Sequence, residues 1–564
     1  MTKKGDGFIK GFAEEEISPL DLGNLKALAK NGKIRELPLW PLSMAFRRIG
    51  PGETSSFLPA LSKEQRKALL DFDLWNKDGI DVQGFSFWIE VYHKNSSFDL
   101  KGEFIAGEQC ALYMKGVCGL STFDEEDPLY PDHPHFFLTD DHLLLIEYDD
   151  SFPHGEKLQD LIRILYSKLG VEKAYAHLFK VTVDSFLLFQ EKEYHLKKDR
   201  LADFGLIDYY EALEVLAPLT KMSHINQMIE TRSPRKKEEG VGPLFSPSLP
   251  EQVVNSYGRD FDLIKIELDK IKDPSHINFL HHNFSKLINA TLSAQNALKQ
   301  RPKIIEEIGG QARTFLLLGL IYAKEKRDFE GKSVFDLFDF IDLYRIGKSI
   351  IHIKRILLKK SLRDHSFQGP KEKSFLGGIF QQLIEEVFIP EKVIKGKKDF
   401  DRLEEESKLL SDLLPFMASF YRSFKKMRNE GVLQNDYYLN YDVDDIDFEA
   451  LILSSFINFD LGHYDLKEEA LRNFKMGLSI QEIKGFAQKY GDEKGRLFKK
   501  SLDDSIQRFL ISFGLEKMDN LSSYMHRLLR ENLSGYNFLD MPQGDFAHVG
   551  GPVILKEELK RLLR

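Results

Sequence analysis

Cysteine is almost missing from this chain: Cys110 and Cys118 are the only two in 564 residues. So small a supply excludes a disulfide framework and any zinc site built from cysteine alone. Both lie in apolar stretches, Gln109-Cys-Ala-Leu-Tyr-Met and Gly116-Val-Cys-Gly, and read as small buried hydrophobes. Long apolar runs are missing too. The most apolar helical stretch, Phe315–Ala323, has nine residues, whereas a membrane crossing needs about twenty. The start, Met1-Thr-Lys-Lys-Gly-Asp-Gly-Phe-Ile-Lys, carries positive charge but no following apolar run or small-residue cleavage site, unlike a secretory signal. The expectation is a soluble, cytoplasmic protein with no membrane insertion.

Charge of one sign is scarce as well. Against 88 acidic residues stand 79 basic ones, a net charge of −9 spread along the chain. Wholesale nucleic-acid binding needs a concentrated positive surface, so nucleic acid is disfavoured as a partner. No glycine-rich nucleotide fingerprint, His-Glu-x-x-His motif or Ser/His/Asp order is present.

What the chain has is apolar bulk in helical spacing. Apolar residues make up 42%, with 44 Phe and 20 Tyr, more than a disordered chain carries. The length exceeds what one core usually supports, which predicts two to four domains or lobes. From Asp260 to about Arg530, apolar residues recur three and four apart between short polar turns. The predicted fold class is mainly α, as irregular multi-helical lobes (superhelical or bundle-like). No constant-period repeat marks an ordinary solenoid.

Five segments follow. Residues 1–35 are polar and read as partly ordered. Residues 36–230 form an N-terminal helical lobe. In it, Ser62-Lys-Glu-Gln65 fits a capping box, opening a helix that runs toward Trp75 and stops at Asn76-Lys-Asp-Gly79. A second helix follows, with Phe85, Trp88, Ile89 and Tyr92 on one face. Near residues 116–148 the helical rhythm breaks. Val117–Phe123 is strand-like, and Phe136-Phe-Leu-Thr with Leu143-Leu-Leu-Ile-Glu-Tyr suits an antiparallel hairpin around Asp140-Asp141, a small β insertion. Gly170 and Gly205 read as helix ends. Residues 231–255 combine charge, proline and glycine and read as a linker. Residues 256–534 form an all-helical domain, and 535–564 an irregular tail.

Leu69-Leu-Asp-Phe-Asp-Leu-Trp-Asn-Lys-Asp78, Phe137-Leu-Thr-Asp-Asp-His-Leu-Leu-Leu-Ile-Glu-Tyr148, Asp199-Arg-Leu-Ala-Asp-Phe-Gly-Leu-Ile-Asp-Tyr-Tyr-Glu-Ala-Leu213 and His548-Val-Gly-Gly-Pro552 follow in that order. Together they resemble a family of large bacterial cytoplasmic proteins classed only as a domain of unknown function, and the resemblance covers most of the chain. The first helical hairpin, with its Asp-x-Asp-x-Trp end, also resembles the cytosolic N-terminal lobe of magnesium transporters over about a tenth of the sequence. The transporter's membrane spans and nucleotide-sensing domains have no counterpart here, so transport is not implied. The resemblances imply a bacterial, helical, soluble protein of regulatory kind, and supply no catalytic residue.

Three clusters carry chemistry. His133, His135, Asp140, Asp141 and His142 combine imidazole and carboxylate, a donor set for zinc, manganese or iron. The plainer reading is a polar loop and turn before a strand. No cofactor is predicted beyond this divalent metal. Asp442-Val-Asp-Asp-Ile-Asp-Phe-Glu449 is dense in carboxylates but lacks an EF-hand's glycine and distal glutamate, and reads better as the N-terminus of a helix. Lys348, His352, Arg355, Lys359 and Arg363 form a basic helical stripe for an anion or an acidic partner, with Ile346, Ile350, Ile353 and Leu357 facing the core. A solvated face is the plainer reading. Gly347-Lys-Ser349 is no phosphate loop, because Asp342 stands where the earlier glycine is required.

The sequence thus favours a non-enzymatic protein-interaction or regulatory scaffold, with another protein as partner and no oligomeric state specified. The alternatives are a metal-dependent hydrolase or small-molecule sensor at His133, His135 and Asp141, and an RNA- or nucleotide-associated regulator using the basic stripe.

Overall fold

The structure, a computed structural model, describes residues 21–37, 39–122, 130–183, 185–233, 262–299, 302–390, 394, 396–429, 446–462, 477–495, 501–518, 520–549 and 551–555. Most of these are helical, and the protein is mainly α. The chain divides into two compact units: residues 1–219 with 223–348, and residues 220–222 with 349–564. Residues 262–348, which the sequence grouped with the C-terminal helices, pack with the first unit. Periodicity defines a helix's apolar face but not the neighbour that covers it. The expected linker, 231–255, lies beyond the described residues from 234 onward.

The first unit opens as its capping signals dictate. Helix α1, Lys63–Leu74, begins with the Ser62 hydroxyl accepting from the Gln65 amide (3.1 Å) while the Gln65 side chain accepts from the Ser62 amide (3.2 Å). Lys77 takes a left-handed conformation (φ 59°) in the turn that ends it, and a two-residue antiparallel pairing of Trp75–Asn76 with Gly79–Ile80 closes that turn. Helix α2, Val82–Lys94, buries Phe85, Trp88, Ile89 and Tyr92 as its spacing predicts. Helix α3, Glu108–Val117, leads into the β insertion. Its strands are β1, Cys118–Thr122, β2, Phe136–Leu138, and β3, Leu144–Tyr148. All pairings are antiparallel, in the order β1-β3-β2, with Phe136 opposite Glu147 and Cys118 opposite Tyr148. Cys110 is buried and Cys118 half-buried. Burial pushes the Cys110 thiol far above its ordinary range and Cys118 up to about 12.

Helices α4, Val171–Val183, and α5, Phe186–Ala202, follow in succession. Gly170 (φ 79°) ends the helix before α4, and Gly205 (φ 73°) follows α5. Helix α6, Pro274–Ala294, packs on the short helix Tyr209–Val215. Helix α7, Pro302–Lys326, crosses helix α8, Phe340–Asp364, at a glycine on each side. A Cβ on Gly319 would lie 1.9 Å from the Leu343 carbonyl oxygen, and one on Gly347 1.9 Å from that of Phe315. Gly347 is a packing glycine. Only hydrogen lets these backbones meet.

In the second unit, helices α9, Gly378–Phe388, and α10, Phe448–Asp460, join Lys397–Asn429, Ile480–Tyr490, Ser501–Ser512 and Leu521–Leu533. Phe456 sits edge-on to Phe486 and Phe509 in its core. Part of the expected irregular tail is built into that core. Val553, Ile554 and Leu555 are fully buried. The Ile554 carbonyl accepts from the Leu478 amide (2.7 Å), and its own amide donates to the Ser454 hydroxyl (2.8 Å).

Candidate functional site

Helix α1 ends in apolar residues interrupted by two aspartates, and both aspartate side chains are fully buried. Asp71 is gripped by Arg200 of α5, whose Nε and Nη2 lie 2.5 and 2.9 Å from the two carboxylate oxygens, and the Gln109 amide donates to it at 3.2 Å. Arg200 also reaches Glu193 (3.1 Å). Asp73 pairs with Arg47 (2.7 Å) and accepts from the Trp88 indole (2.7 Å). Glu193, Lys197 and Arg200 share one face of α5 at helical spacing. That face is charged yet buried against α1 and α3.

Lys197 completes the network. Its ammonium donates to Asp208 (3.2 Å) and to the Lys77 carbonyl (3.3 Å), and stands 4.5 Å from the Tyr194 ring centre. The Tyr194 hydroxyl donates to the other Asp208 oxygen (2.7 Å). Lys299 arrives from beyond α6 and donates to the carbonyls of Asp73 (3.2 Å) and Trp75 (2.9 Å) and to the Asp81 carboxylate (3.0 Å). One residue so joins α1, the turn after it and the start of α2.

Burial dominates the electrostatics. It pushes the carboxyls of Asp71, Asp73 and Glu193 up, against the pull of Arg200 and Arg47. It pushes Lys197 down, opposed by Asp208. Burial would also raise Asp208, but hydrogen bonds from Tyr194 and Lys197 outweigh it and hold that carboxyl below its ordinary value. These groups surround a cavity of about 70 Å³ whose wall includes Asp71, Trp75, Lys77, Lys197, Asp208 and Lys299. Its size suits a few water-sized groups. Trp75 is 4% exposed, and its indole Nε1 has no hydrogen-bond partner.

The sequence reading did not single out this site. A signal was present: Asp71 and Asp73 interrupt the apolar run Leu69–Leu74, and both they and Arg200 and Asp208 lie in segments that carried the family resemblance.

The same helices carry a second feature on their outer side. On α4, Val171, Tyr175, Phe179 and Val183 recur every four residues. Val171 is 55% and Val183 64% exposed, and Phe179 stacks on Tyr175 (5.6 Å). At the start of α5, Leu187 and Leu188 are 73% and 68% exposed.

The sequence-predicted residues are placed differently. His133 and His135 come together, with ring centres 5.6 Å apart, but their neighbours are Glu147 (2.8 Å from His133 Nε2) and Asp150 (3.0 Å from His135 Nε2). His133 Nδ1 accepts from the His135 amide at 3.2 Å. Asp140, Asp141 and His142 stand at the far end of β2, separated from the histidines by Phe136–Leu138, about 10 Å of extended chain. Asp141 accepts from the Thr139 hydroxyl (2.6 Å) and the Leu143 amide (3.1 Å), His142 takes the left-handed conformation (φ 58°), and Asp140 lies 3.5 Å from Arg163. Among the described residues, no three histidine, cysteine, aspartate or glutamate side chains are arranged to hold a metal ion.

The basic stripe is divided among several tasks. Lys348 donates to the Leu216 carbonyl (3.0 Å). Arg355 donates to the carbonyls of Val387 (3.0 Å) and Phe388 (2.9 Å) at the end of α9. Lys359 stands 5.2 Å from the Phe388 ring centre, Arg363 lies 3.6 Å from Asp364, and His352 is half-buried. Ile346, Ile350 and Ile353 face the core as expected, but Leu357 is 59% exposed and Leu358 is buried in its place. Leu358 lies seven residues after the buried Ile351, on the same side of the helix, and that side is the one covered at this height. Of the acidic run, residues 442–445 lie outside the described residues. Asp447 is the N-cap of α10, accepting from the Ala450 amide (2.8 Å).

These features define a mainly α, multi-helical protein with a charge-walled cavity in its first unit and no helix, among the described residues, long and apolar enough to cross a membrane. The chain belongs to the family of unknown function DUF6178, which it matches over residues 30–405, a span that includes the whole cavity wall. No curated protein and no solved structure matches it, and the likeness of the first hairpin to the magnesium-transporter lobe is not shown.

Proposed function

We propose that this chain is a non-enzymatic interaction protein whose first unit docks a partner protein on the outer side of α4 and α5. The observation that carries this reading is the exposure of Val171, Phe179 and Val183 along α4 and of Leu187 and Leu188 at the start of α5. Apolar groups so grouped are costly in water, and on soluble proteins such patches mark association surfaces. The opposite face of α5 supports the reading. Glu193, Lys197 and Arg200 fix the helix by buried charge, so the surface is presented on a rigid element.

The test replaces Leu187 and Leu188 together by glutamate. Both are solvent-facing, so folding stability should change little. One stoichiometric partner, captured by the parent chain and lost in the double variant at unchanged melting temperature, is the expected result. A parent chain that stays monomeric, captures no partner and turns over a small molecule would overturn the proposal.

A further inference from the structure

In the wall of the cavity behind α5 the two carboxylates each accept three hydrogen bonds, while one buried donor has no partner. Asp71 already accepts from Arg200 and Gln109. Asp208 already accepts from Lys197, Tyr194 and the Tyr210 amide. The donors are less fully spent. Trp75 Nε1 is buried without a partner. Lys197 uses two of its three N–H groups, on Asp208 and the Lys77 carbonyl. Lys77 is exposed, and its ammonium lies 4.9 Å from the Tyr209 ring centre.

A buried donor left unpaired costs roughly 1–3 kcal/mol, and native interiors seldom leave one so. Trp75, Lys77 and Lys197 line the same cavity, and Lys197 Nζ stands 5.4 Å from the Trp75 ring centre. A wall with one partnerless indole N–H and two ammonium groups suits an oxygen that carries negative charge, because hydrogen bonds to ionised acceptors are the stronger ones. We infer that this cavity is a binding site for a small oxyanion, a carboxylate or a phosphate, held by Trp75, Lys77 and Lys197. The oxyanion accepts from the indole and from the third Lys197 proton, while Lys77 closes the open side. Its size limits the buried part of the ligand to the oxyanion group and little more. Occupation would brace α1 against α5 and the turn between Trp75 and Gly79. This inference is independent of the docking surface on the outer side of the same helix.

The experiment uses the full chain and two probe series, inorganic phosphate and the short carboxylates acetate and succinate, with chloride at equal ionic strength as control. Calorimetric titration and thermal melting are read on the parent and on Trp75→Phe. The phenyl ring removes the N–H together with part of the buried indole's bulk, so a variant at the exposed Lys77 is read beside it. Saturable binding of one series at one site per chain is expected, with a melting temperature that rises with ligand concentration. Whichever series binds identifies the ligand class. In Trp75→Phe the affinity should fall about tenfold, and the ligand-free melting temperature should fall with the lost ring volume. Lys77→Gln, at an exposed position, should weaken binding without affecting the fold. If neither series binds saturably, the cavity holds only water and the inference fails. It fails equally if Trp75→Phe binds as tightly as the parent.

Discussion

Arg200 holds both carboxylate oxygens of Asp71, a residue 129 positions earlier in the chain, and spends a further N–H on Glu193. Two buried carboxylates therefore share one guanidinium. Replacing Arg200 by leucine leaves both without it, and a broken buried pair of this kind costs about 3–5 kcal/mol. Arg200→Leu should lower the denaturation midpoint by that amount. A loss under about 1 kcal/mol would mean that the pair behaves as a surface bridge.

Glu449 links two helices of the second unit by accepting from the Ile379 amide at 2.7 Å, where α9 begins. Burial pushes its carboxyl from the ordinary 4.5 up to about 7, aided by Asp447, itself raised to about 6. A folded-state value above the unfolded one means that the stabilising contribution is full below pH 4.5 and is lost as pH rises through 7. The parent should thus be less stable at pH 8 than at pH 5, by up to roughly 3 kcal/mol from this group. Glu449→Gln keeps an oxygen for the Ile379 amide and should flatten the profile. Urea unfolding at both pH values reads the difference, and parallel profiles for variant and parent would contradict it.

The α7–α8 crossing offers a steric test. Alanine is the better helix former, so Gly347→Ala on an exposed helix should stabilise by about 1 kcal/mol. Here the new methyl would meet the Phe315 carbonyl oxygen at 1.9 Å. The expected sign is reversed, with a loss of about 1–3 kcal/mol or more, readable as a drop in melting temperature. A stabilised variant would show that the two helices can separate without cost.

The basic residues of α8 should respond unequally. Arg355 satisfies two carbonyls at the end of α9, so Arg355→Ala should cost about 1–2 kcal/mol. Lys359 and Arg363 are exposed, and their alanine variants should stay within about 0.5 kcal/mol of the parent. Equal effects at all three positions would instead favour one continuous functional ridge. So would salt-sensitive anion binding that each of them weakens.

Much of the architecture was legible because its signals are local. Ser62 and Gln65 specify a helix start within four residues, and Phe85, Trp88, Ile89 and Tyr92 specify a buried face by spacing alone. The β2–β3 hairpin follows from alternation and from Asp140–Asp141 at its turn. The metal reading failed to unite its residues for a reason equally physical. A three-residue strand carries its two ends apart, so proximity in sequence placed Asp140, Asp141 and His142 away from His133 and His135, while Glu147 came opposite through strand pairing. The cavity was harder to see. Lys77, Lys197 and Lys299 are unremarkable as isolated lysines and converge only when α1, α5 and the segment after α6 pack together.

The amino-acid order alone determined the helical class, the small antiparallel insertion and several helix ends, because backbone hydrogen bonds and apolar spacing act over a few residues. Packing decided which charges are buried and which apolar side chains are left outside. Burial depends on neighbours distant in the chain, so Lys197 became a wall of a cavity while Leu187 and Leu188 on the same helix stayed in water.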